Sequence, residues 1–458
     1  MASLTTSEIT SKMKIPISSK KIKVQIASIA ILNALFSYST SSHACATVDY
    51  SVTGLTQTNE VWLRDYLELD SFIPKSQLDL DRLRQHLTTT DIFSQVSISQ
   101  TLTANGHCSV LIDVKEKLTR IPVIRGAYGG GTPLFILGGY ETNAFGQLMA
   151  IGGEVRRYGN MAPGAFFFFK SPRAWRGRGL WGGELWLDRR RRAFFDPEAK
   201  FFGYADSEAW TTKWQWLYPL NSASRGIWQA GFQLQAFREN PTTFHLETSY
   251  QGEVKTAPND LMLNSSPGFG GLLAPVLAYD GLIVDGLNFD GVKSRASTGV
   301  ARGANSSGSF SEVEIFTYLN LPAQINLAGR LYAATTTQNT AGGVYYLGGF
   351  DSVRGLPDGI HYGNKIAYGN VEARVIAAKM RYAHIQPAIF FDTGSAWMAG
   401  HSPYDGRETS VGGGVRIAVP QVYRLVLRVD YGLSLGHTKS KGLSIGLNQF
   451  FQPYKMVF

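Results

Sequence analysis

The sequence predicts a mainly β protein: a 16-stranded antiparallel transmembrane β-barrel preceded by a small βααββ module. Three observations carry this reading. From residue 119 onward, apolar and polar residues alternate with period two over successive runs, as in strands with two unlike faces. Glycine (49) and aromatic residues (12%) are abundant, yet mean hydropathy is only −0.08 and charge a modest 17%. That combination fits strands in which only every second residue meets lipid. Finally, residues 1–44 read as an export signal.

The signal comes first. Lys12, Lys14, Lys20, Lys21 and Lys23 precede the apolar run Ile26–Phe36, broken once by Asn33. Small residues follow, ending in Ser42-His43-Ala44, a site for cleavage after Ala44; Ala44-Cys45-Ala46 offers a second site, and Met13 a second start. The run is too short to span a bilayer as a helix, and no later one is long enough. Without residues 1–44 the chain loses five lysines and Glu8. The formal charge falls from +9 to 39 − 34, or +5. No basic helix with interleaved aromatics accompanies it, so nucleic acid is not an expected partner.

Residues 45–118 read as one small unit. Val48, Tyr50 and Val52 alternate in a strand that Gly54 ends. Thr58 or Asn59 can cap a helix carrying Trp62, Tyr66 and Leu69, and a second helix carries Leu80, Leu83 and Leu87. Val96 and Ile98 mark a second strand, Asn105-Gly106 a turn, and Val110, Ile112 and Val114 the returning strand. The two cysteines, Cys45 and Cys108, are open to three readings: a disulfide, removal of Cys45 with the signal, or lipidation of Cys45.

Residues 119–458 supply the barrel. Roughly 17 segments alternate between Ile121 and Phe451, and single-chain barrels take an even number, which sets the expectation at 16. The surplus segment is expected within 240–290, where Phe244–Val254 reads as a loop hairpin or a strand extension. The clearest strand is Tyr423–Ser434, with Tyr423, Leu425, Leu427, Val429, Tyr431 and Leu433 opposite Arg424, Arg428 and Asp430. Thr409–Val419 and Gln324–Thr336 repeat the pattern, with Arg416 and Arg330 on the enclosed face. Arg189-Arg190-Arg191-Arg192 reads either as a contact for lipopolysaccharide phosphates or as a solvated rim. Gly129–Gly131 and Gly412–Gly414 lack the strand–loop–helix setting of a phosphate loop and read as bends or close packing. Nothing implies a cofactor, metal or enzyme: there is no P-loop, no His/Cys cluster and no Gly-x-Ser-x-Gly stretch.

The most unusual stretch is Tyr346–Leu356, which places Arg354 among small residues in a long loop between alternating strands. In Lys365–Ile376, Asn370, Glu372 and Arg374 share one face; in Ile385–Trp397, Phe390, Asp392 and Gly394 do. Glu372 and Asp392 can therefore both point inward from neighbouring strands. A guanidinium folded into the lumen between them would form charge-assisted hydrogen bonds. The same two carboxylates could suggest acid/base chemistry, but the arginine neutralises them.

These motifs, in order, resemble the BamA/TamA superfamily of outer-membrane insertases and translocases (the bacterial surface antigen family). Gly348–Gly355 resembles its loop motif, Asn370–Arg374 its next-strand motif, Phe390–Trp397 its inward aspartate motif, and Leu427–Gly432 and Leu443–Phe451 its last two strands. Val52–Leu55, Asp91–Val96 and Val114–Lys117 resemble a POTRA domain, so residues 45–118 are expected to be a POTRA-like periplasmic module. Where the family commonly has an aromatic after Arg-Gly, this chain has Leu356.

The resemblance implies that Arg354 and Gly355 dock on Glu372, Asp392 and Gly394 and steady the barrel. It implies a strand edge at Ser94, Val96 and Ile98 that receives an extended client by β-augmentation. It also favours a Cys45–Cys108 disulfide, since the first and last POTRA strands lie side by side. The implied function is insertion or translocation of unfolded outer-membrane or secreted polypeptides, with outer-membrane lipid as the other partner. The rivals are a passive outer-membrane channel and a dedicated secretion pore for one partner.

Overall fold

The computed structural model describes Cys45 and residues 47–447, apart from 75, 103–106, 128–132, 175–178, 196–199, 222–225, 241–242, 247–267, 286, 304–306, 341–342 and 350–351. The expected signal, the Asn105-Gly106 turn, Gly129–Gly131 and the tail after Leu447 lie outside the described residues.

The N-terminal module has the order β1 (Thr47–Thr53), α1 (Glu60–Tyr66), α2 (Gln77–Thr89), β2 (Phe93–Leu102) and β3 (His107–Glu116). Strand β3 is central: β1 runs parallel to it on one side and β2 antiparallel on the other, so β2 is an edge. Asn59 caps α1, its Oδ1 accepting the Trp62 N–H at 2.9 Å. Leu63, Leu80, Leu83, Leu87 and Ile92 pack under Val110, Ile112 and Val114 in one buried core. The buried face of α1 is carried by Leu63 rather than by Trp62 and Tyr66. Those two rings stack on each other at 5.0 Å and lie partly buried against the core. Leu69 is buried from a separate short turn, because α1 ends at Tyr66.

The remaining strands close into an antiparallel barrel. They are β4 (Arg120–Ala127), β5 (Leu134–Ala144), β6 (Met149–Tyr158), β7 (Gly164–Ala174), β8 (Gly179–Phe195), β9 (Phe201–Pro219), β10 (Ile227–Glu239), β11 (Gly268–Asp280), β12 (Asn288–Arg302), β13 (Ser307–Leu321) and β14 (Ile325–Thr336). A long loop then holds the short paired strands β15 (Tyr345–Leu347) and β16 (His361–Gly363). The barrel resumes with β17 (Lys365–Val375), β18 (His384–Trp397), β19 (Arg407–Ala418), β20 (Val426–Ser434) and β21 (Lys441–Leu447). Three short pieces, Thr243–Leu246, Ile283–Asp285 and Ala378–Lys379, continue β10, β11 and β17 along the same neighbours, which leaves 16 barrel strands. Phe244 thus belongs to a strand extension.

Alternation places apolar side chains such as Leu137, Leu273, Leu331 and Ile389 outward and exposed, while their neighbours along each strand are buried in the lumen. In water such a band would be costly; in a bilayer it is the face presented to lipid.

Two expected strand limits shift. The strand expected from Tyr423 begins at Val426, because the preceding turn is held by the linker to the barrel: Leu118 N–H donates to Gln421 O, and Tyr423 N–H to Leu118 O, both at 2.8 Å. Tyr423 therefore packs against the module core instead of facing lipid. Gln324 sits in a Pro322–Gln324 turn, so the strand expected from it starts at Ile325.

The arginine run lies in the C-terminal half of β8. Arg189 pairs with Glu208 at 2.5 Å, Arg190 with Asp188 at 2.8 Å, and Arg191 with Asp206 through two bonds of 2.7 Å. Arg192 lies over the Tyr346 ring at 4.4 Å. The run is knitted into the barrel wall.

Candidate functional site

The site is built by a loop that returns into the barrel. Its stem is the β15–β16 pair, and its apolar underside buries Leu347, Val353, Leu356 and Ile360 against Ile366, Tyr368 and Ala396 of the wall. Leu356 fills the position below the Arg-Gly tip. Ser352 Oγ accepts the Gly348 N–H at 2.8 Å and donates to Gly348 O at 2.9 Å, closing the turn. Asn370 of β17 donates to Ser352 O at 2.7 Å.

This turn delivers Arg354, which is 1% exposed. Its Nε and Nη2 bond the two carboxylate oxygens of Asp392 at 2.8 and 2.9 Å, and its own N–H reaches Asp392 Oδ2 at 3.1 Å. Nη1 bonds Glu372 Oε2 at 2.5 Å and lies 3.6 Å from Asp430 Oδ2. The guanidinium also sits over the Phe390 ring at 3.5 Å. Every direction open to the cation is met by an anion or an aromatic face, which is how a buried charge is tolerated.

The tip is fixed by close approach. Gly355 has φ +84°, and a Cβ there would stand 2.6 Å from the Gly432 carbonyl carbon. Ser440, in the turn that leads into β21, donates to Gly355 O at 2.8 Å. Gly394 lies under the stem, where a Cβ would stand 2.5 Å from Tyr368 Cβ. The tip thus touches β20 and the approach to the last strand, while its charge is held on β17 and β18.

Three further charged residues join the cluster. Arg374 Nε bonds Glu372 at 2.7 Å; Arg416 Nη2 bonds both Glu372 oxygens at 2.9 and 3.0 Å and its Nη1 bonds Asp430. Arg428 lies 3.4 Å from Asp430. All are buried. Sequence reasoning put these residues on the enclosed faces of their strands but did not join them to Arg354; cross-strand register, which alternation does not encode, brings them together. A further buried carboxylate, Glu408, is not singled out by the sequence pattern. It accepts hydrogen bonds from Thr438 and Ser434 and faces His361 at 3.2 Å.

In the module, Ser94, Val96 and Ile98 lie on the edge strand β2, with Ser94 exposed and Val96 and Ile98 half-buried. Cys45 and Cys108 are joined by a disulfide at the start of the parallel β1–β3 pair. Among the described residues, no group of three or more His, Cys, Asp or Glu side chains is placed to hold a metal ion.

No family model matches the chain, and no curated protein does. Solved structures do. BamA from Haemophilus ducreyi lacking POTRA domains 1–3 aligns over 88% of this chain and 84% of its own, with TM-score 0.50 and 13% identity. CdiB from Acinetobacter baumannii aligns over 89% and 74% (TM-score 0.59, 13% identity). CdiB from Escherichia coli aligns over 88% and 76% (TM-score 0.60, 12% identity). At such identities the likeness is one of fold. The chain has the fold that the BamA/TamA resemblance implied, a 16-stranded transmembrane barrel with a small POTRA-like module on its N-terminal side.

Proposed function

We propose that this protein assists the insertion or translocation of unfolded polypeptides at an outer membrane. In this reading residues 1–44 are an export signal, residues 45–118 a periplasmic POTRA-like domain, and residues 119–458 the barrel. The β2 edge at Ser94, Val96 and Ile98 holds an extended client strand. Arg354, with Glu372, Asp392, Gly355 and Gly394, locks the loop into the wall next to the seam. The partners are polypeptide clients and outer-membrane lipid; the pairing of Arg189, Arg190 and Arg191 within the chain lends no support to a lipopolysaccharide phosphate site there.

The observation that carries the reading is the closure of the barrel. Among the described residues, β21 and β4 share two register pairs, Ser444–Ala127 and Ile445–Gly126. There the first and last described barrel strands meet without a connecting turn, and because unpaired backbone groups in lipid are costly, an incoming strand would gain by pairing at this junction.

The dedicated secretion pore is the second reading, favoured by a lumen cavity of about 1590 Å³. A passive open channel is less well supported. At the end away from the module, Phe194 and Phe202 pack with Val344, Tyr346 and Tyr362 over the loop.

Photo-crosslinking in cells, with probes at Ile98 and Leu447, tests the proposal. Capture of nascent barrel proteins at both positions supports insertion. Capture of a single soluble secreted protein favours the dedicated pore. No capture, together with a large steady conductance, overturns both.

A further inference from the structure

The outside of the barrel wall carries a cleft that the proposed function does not use. It lies at the ends of β19 and β20 remote from the module, where the turn 435–440 leads into β21. Tyr404, Arg407, Thr409, Leu435, Gly436 and His437 line it, around about 350 Å³.

Register decides which way the cleft opens. Val411 stands opposite Leu433 and Gly413 opposite Tyr431, and the Leu435 N–H extends the ladder by donating to Thr409 O at 2.8 Å. His437 is thereby level with Arg407. These pairs form one column that runs down the outward face to Ile417 and Leu427. Leu427, Tyr431, Leu433 and Leu435 are exposed along it, as on a wall that faces lipid. From Ile417 to Arg407 are ten residue steps. At ~3.3 Å each and a tilt of about 40° they rise about 25 Å, the height of the apolar band of such barrels. Arg407 therefore stands where hydrocarbon gives way to headgroups.

The cations at this level are unmatched. Arg407, Lys439 and Lys441 are exposed, and Lys441 stands opposite Leu433 on the outward face. Its stem lies on apolar surface, from which the amine reaches up towards Arg407. Among the described residues none of the three has a carboxylate partner, Asp405 included. Arg189 and Arg191 of β8 differ: each meets a carboxylate across the strand, Glu208 at 2.5 Å and Asp206 at 2.7 Å.

The turn beside the cleft is held from within. Glu408, fully buried, accepts the Thr438 N–H at 3.2 Å and the Ser434 hydroxyl at 3.1 Å, and Ser434 Oγ in turn accepts the Gly436 N–H at 3.2 Å. Gly436 and His437 are thus set in place beside Arg407 before any ligand arrives.

We propose that this cleft binds the phosphate headgroup of an anionic lipid of the outer leaflet. Arg407 and Lys441 meet the phosphate through charge-assisted hydrogen bonds, and Tyr404 and His437 supply further donors. The acyl chains lie down the column of Leu435, Leu433 and Tyr431. A soluble anion would use the cations alone; the apolar column beneath them matches a lipid. The site goes beyond the proposed function and involves no client, so its failure would leave that reading standing.

The test is hydrogen exchange of the amides of 436–440 in the full chain, held in phosphatidylcholine nanodiscs with and without lipid A, a phosphorylated glycolipid. Lipid A is expected to slow exchange there several-fold. Lipid A stripped of its phosphates, and inorganic phosphate in the buffer, are expected to leave it unchanged. Arg407→Gln with Lys441→Gln is expected to lose the slowing, with heat-modifiability in gel electrophoresis retained. Arg407→Gln alone serves if the pair fails to fold. Lys379→Gln, which removes an exposed charge at the other end of the barrel, is expected to keep the slowing. No slowing by lipid A in the native chain overturns the site. So does equal slowing in the folded Arg407→Gln variants, or slowing reproduced by the stripped lipid or by inorganic phosphate.

Discussion

Arg354 gives the sharpest prediction at the scale of single residues. Its removal leaves Asp392, Glu372 and Asp430 buried with one fewer cation, and breaking a buried pair in this way costs about 3–5 kcal/mol. Arg354→Ala is therefore expected to lower the unfolding midpoint of the barrel in detergent clearly, with the strands still formed. Arg354→Lys keeps the charge but cannot span Asp392 with two donors while reaching Glu372, so it should recover only part of the loss. Equal midpoints for all three proteins would remove any structural role for the loop. Gly355→Ala is a separate probe: φ +84° and the contact with Gly432 leave no space for a methyl, so the tip must shift although no charge changes. The inward faces of Glu372, Asp392 and Arg416 are legible in two-residue alternation. Their convergence on one guanidinium is not, since it depends on register across four strands and on a loop whose path no local pattern specifies.

At the scale of elements, the junction is organised by Glu116, the last residue of β3. Its carboxylate accepts the N–H groups of Thr56, Gln57 and Thr58 at 3.2, 2.7 and 2.8 Å, and the Thr56 hydroxyl at 2.5 Å. Burial alone would raise its pKa, but the bonds from Thr56, Thr58 and Gln57 outweigh it and hold the carboxyl below its ordinary value of 4.5. The folded state then binds fewer protons than the unfolded one. The contribution is complete above the ordinary carboxylate range and is lost as pH falls through the lowered value. Hydrogen exchange of Thr56–Asn59, corrected for intrinsic rates, should accelerate in that acidic window, and Glu116→Gln should abolish the dependence. A flat profile in the native chain would show that Glu116 does not organise the segment.

The disulfide belongs to the same scale. It closes a loop of 63 residues, for which the chain-entropy account gives about 4 kcal/mol. Reduction should make the module, but not the barrel strands, more sensitive to protease. Strands were the legible elements here, because two unlike solvents write opposite demands on alternate residues. Tyr423 departs from the expected strand for an instructive reason. Its alternation continues that of β20, yet the Leu118 linker captures its backbone and the module core its ring. A tertiary contact with a distant part of the chain overrode the local period.

At the scale of the whole molecule, the barrel joins a wall fixed by charge to a closure between its first and last described strands. The Arg354 cluster joins β17, β18, β19 and β20, and Gly355 O accepts the Ser440 hydroxyl just before β21. Beyond that point β21 meets β4, where Ser444 stands opposite Ala127 and Ile445 opposite Gly126. If the seam is the route of an incoming strand, joining it covalently must stop the process while leaving the fold intact. Gly126→Cys with Ile445→Cys places two thiols directly opposite each other across the seam. Val371→Cys with Phe391→Cys places an equivalent pair across β17 and β18, deep in the fixed wall. Oxidation of the seam pair is expected to abolish client capture at Leu447 and to spare capture at Ile98 on the module, since the module edge does not depend on the seam. Reduction should restore capture at Leu447, and the wall pair should have no effect in either state. Undiminished handling of clients by the oxidised seam pair would exclude lateral entry and leave the lumen as the route of the polypeptide.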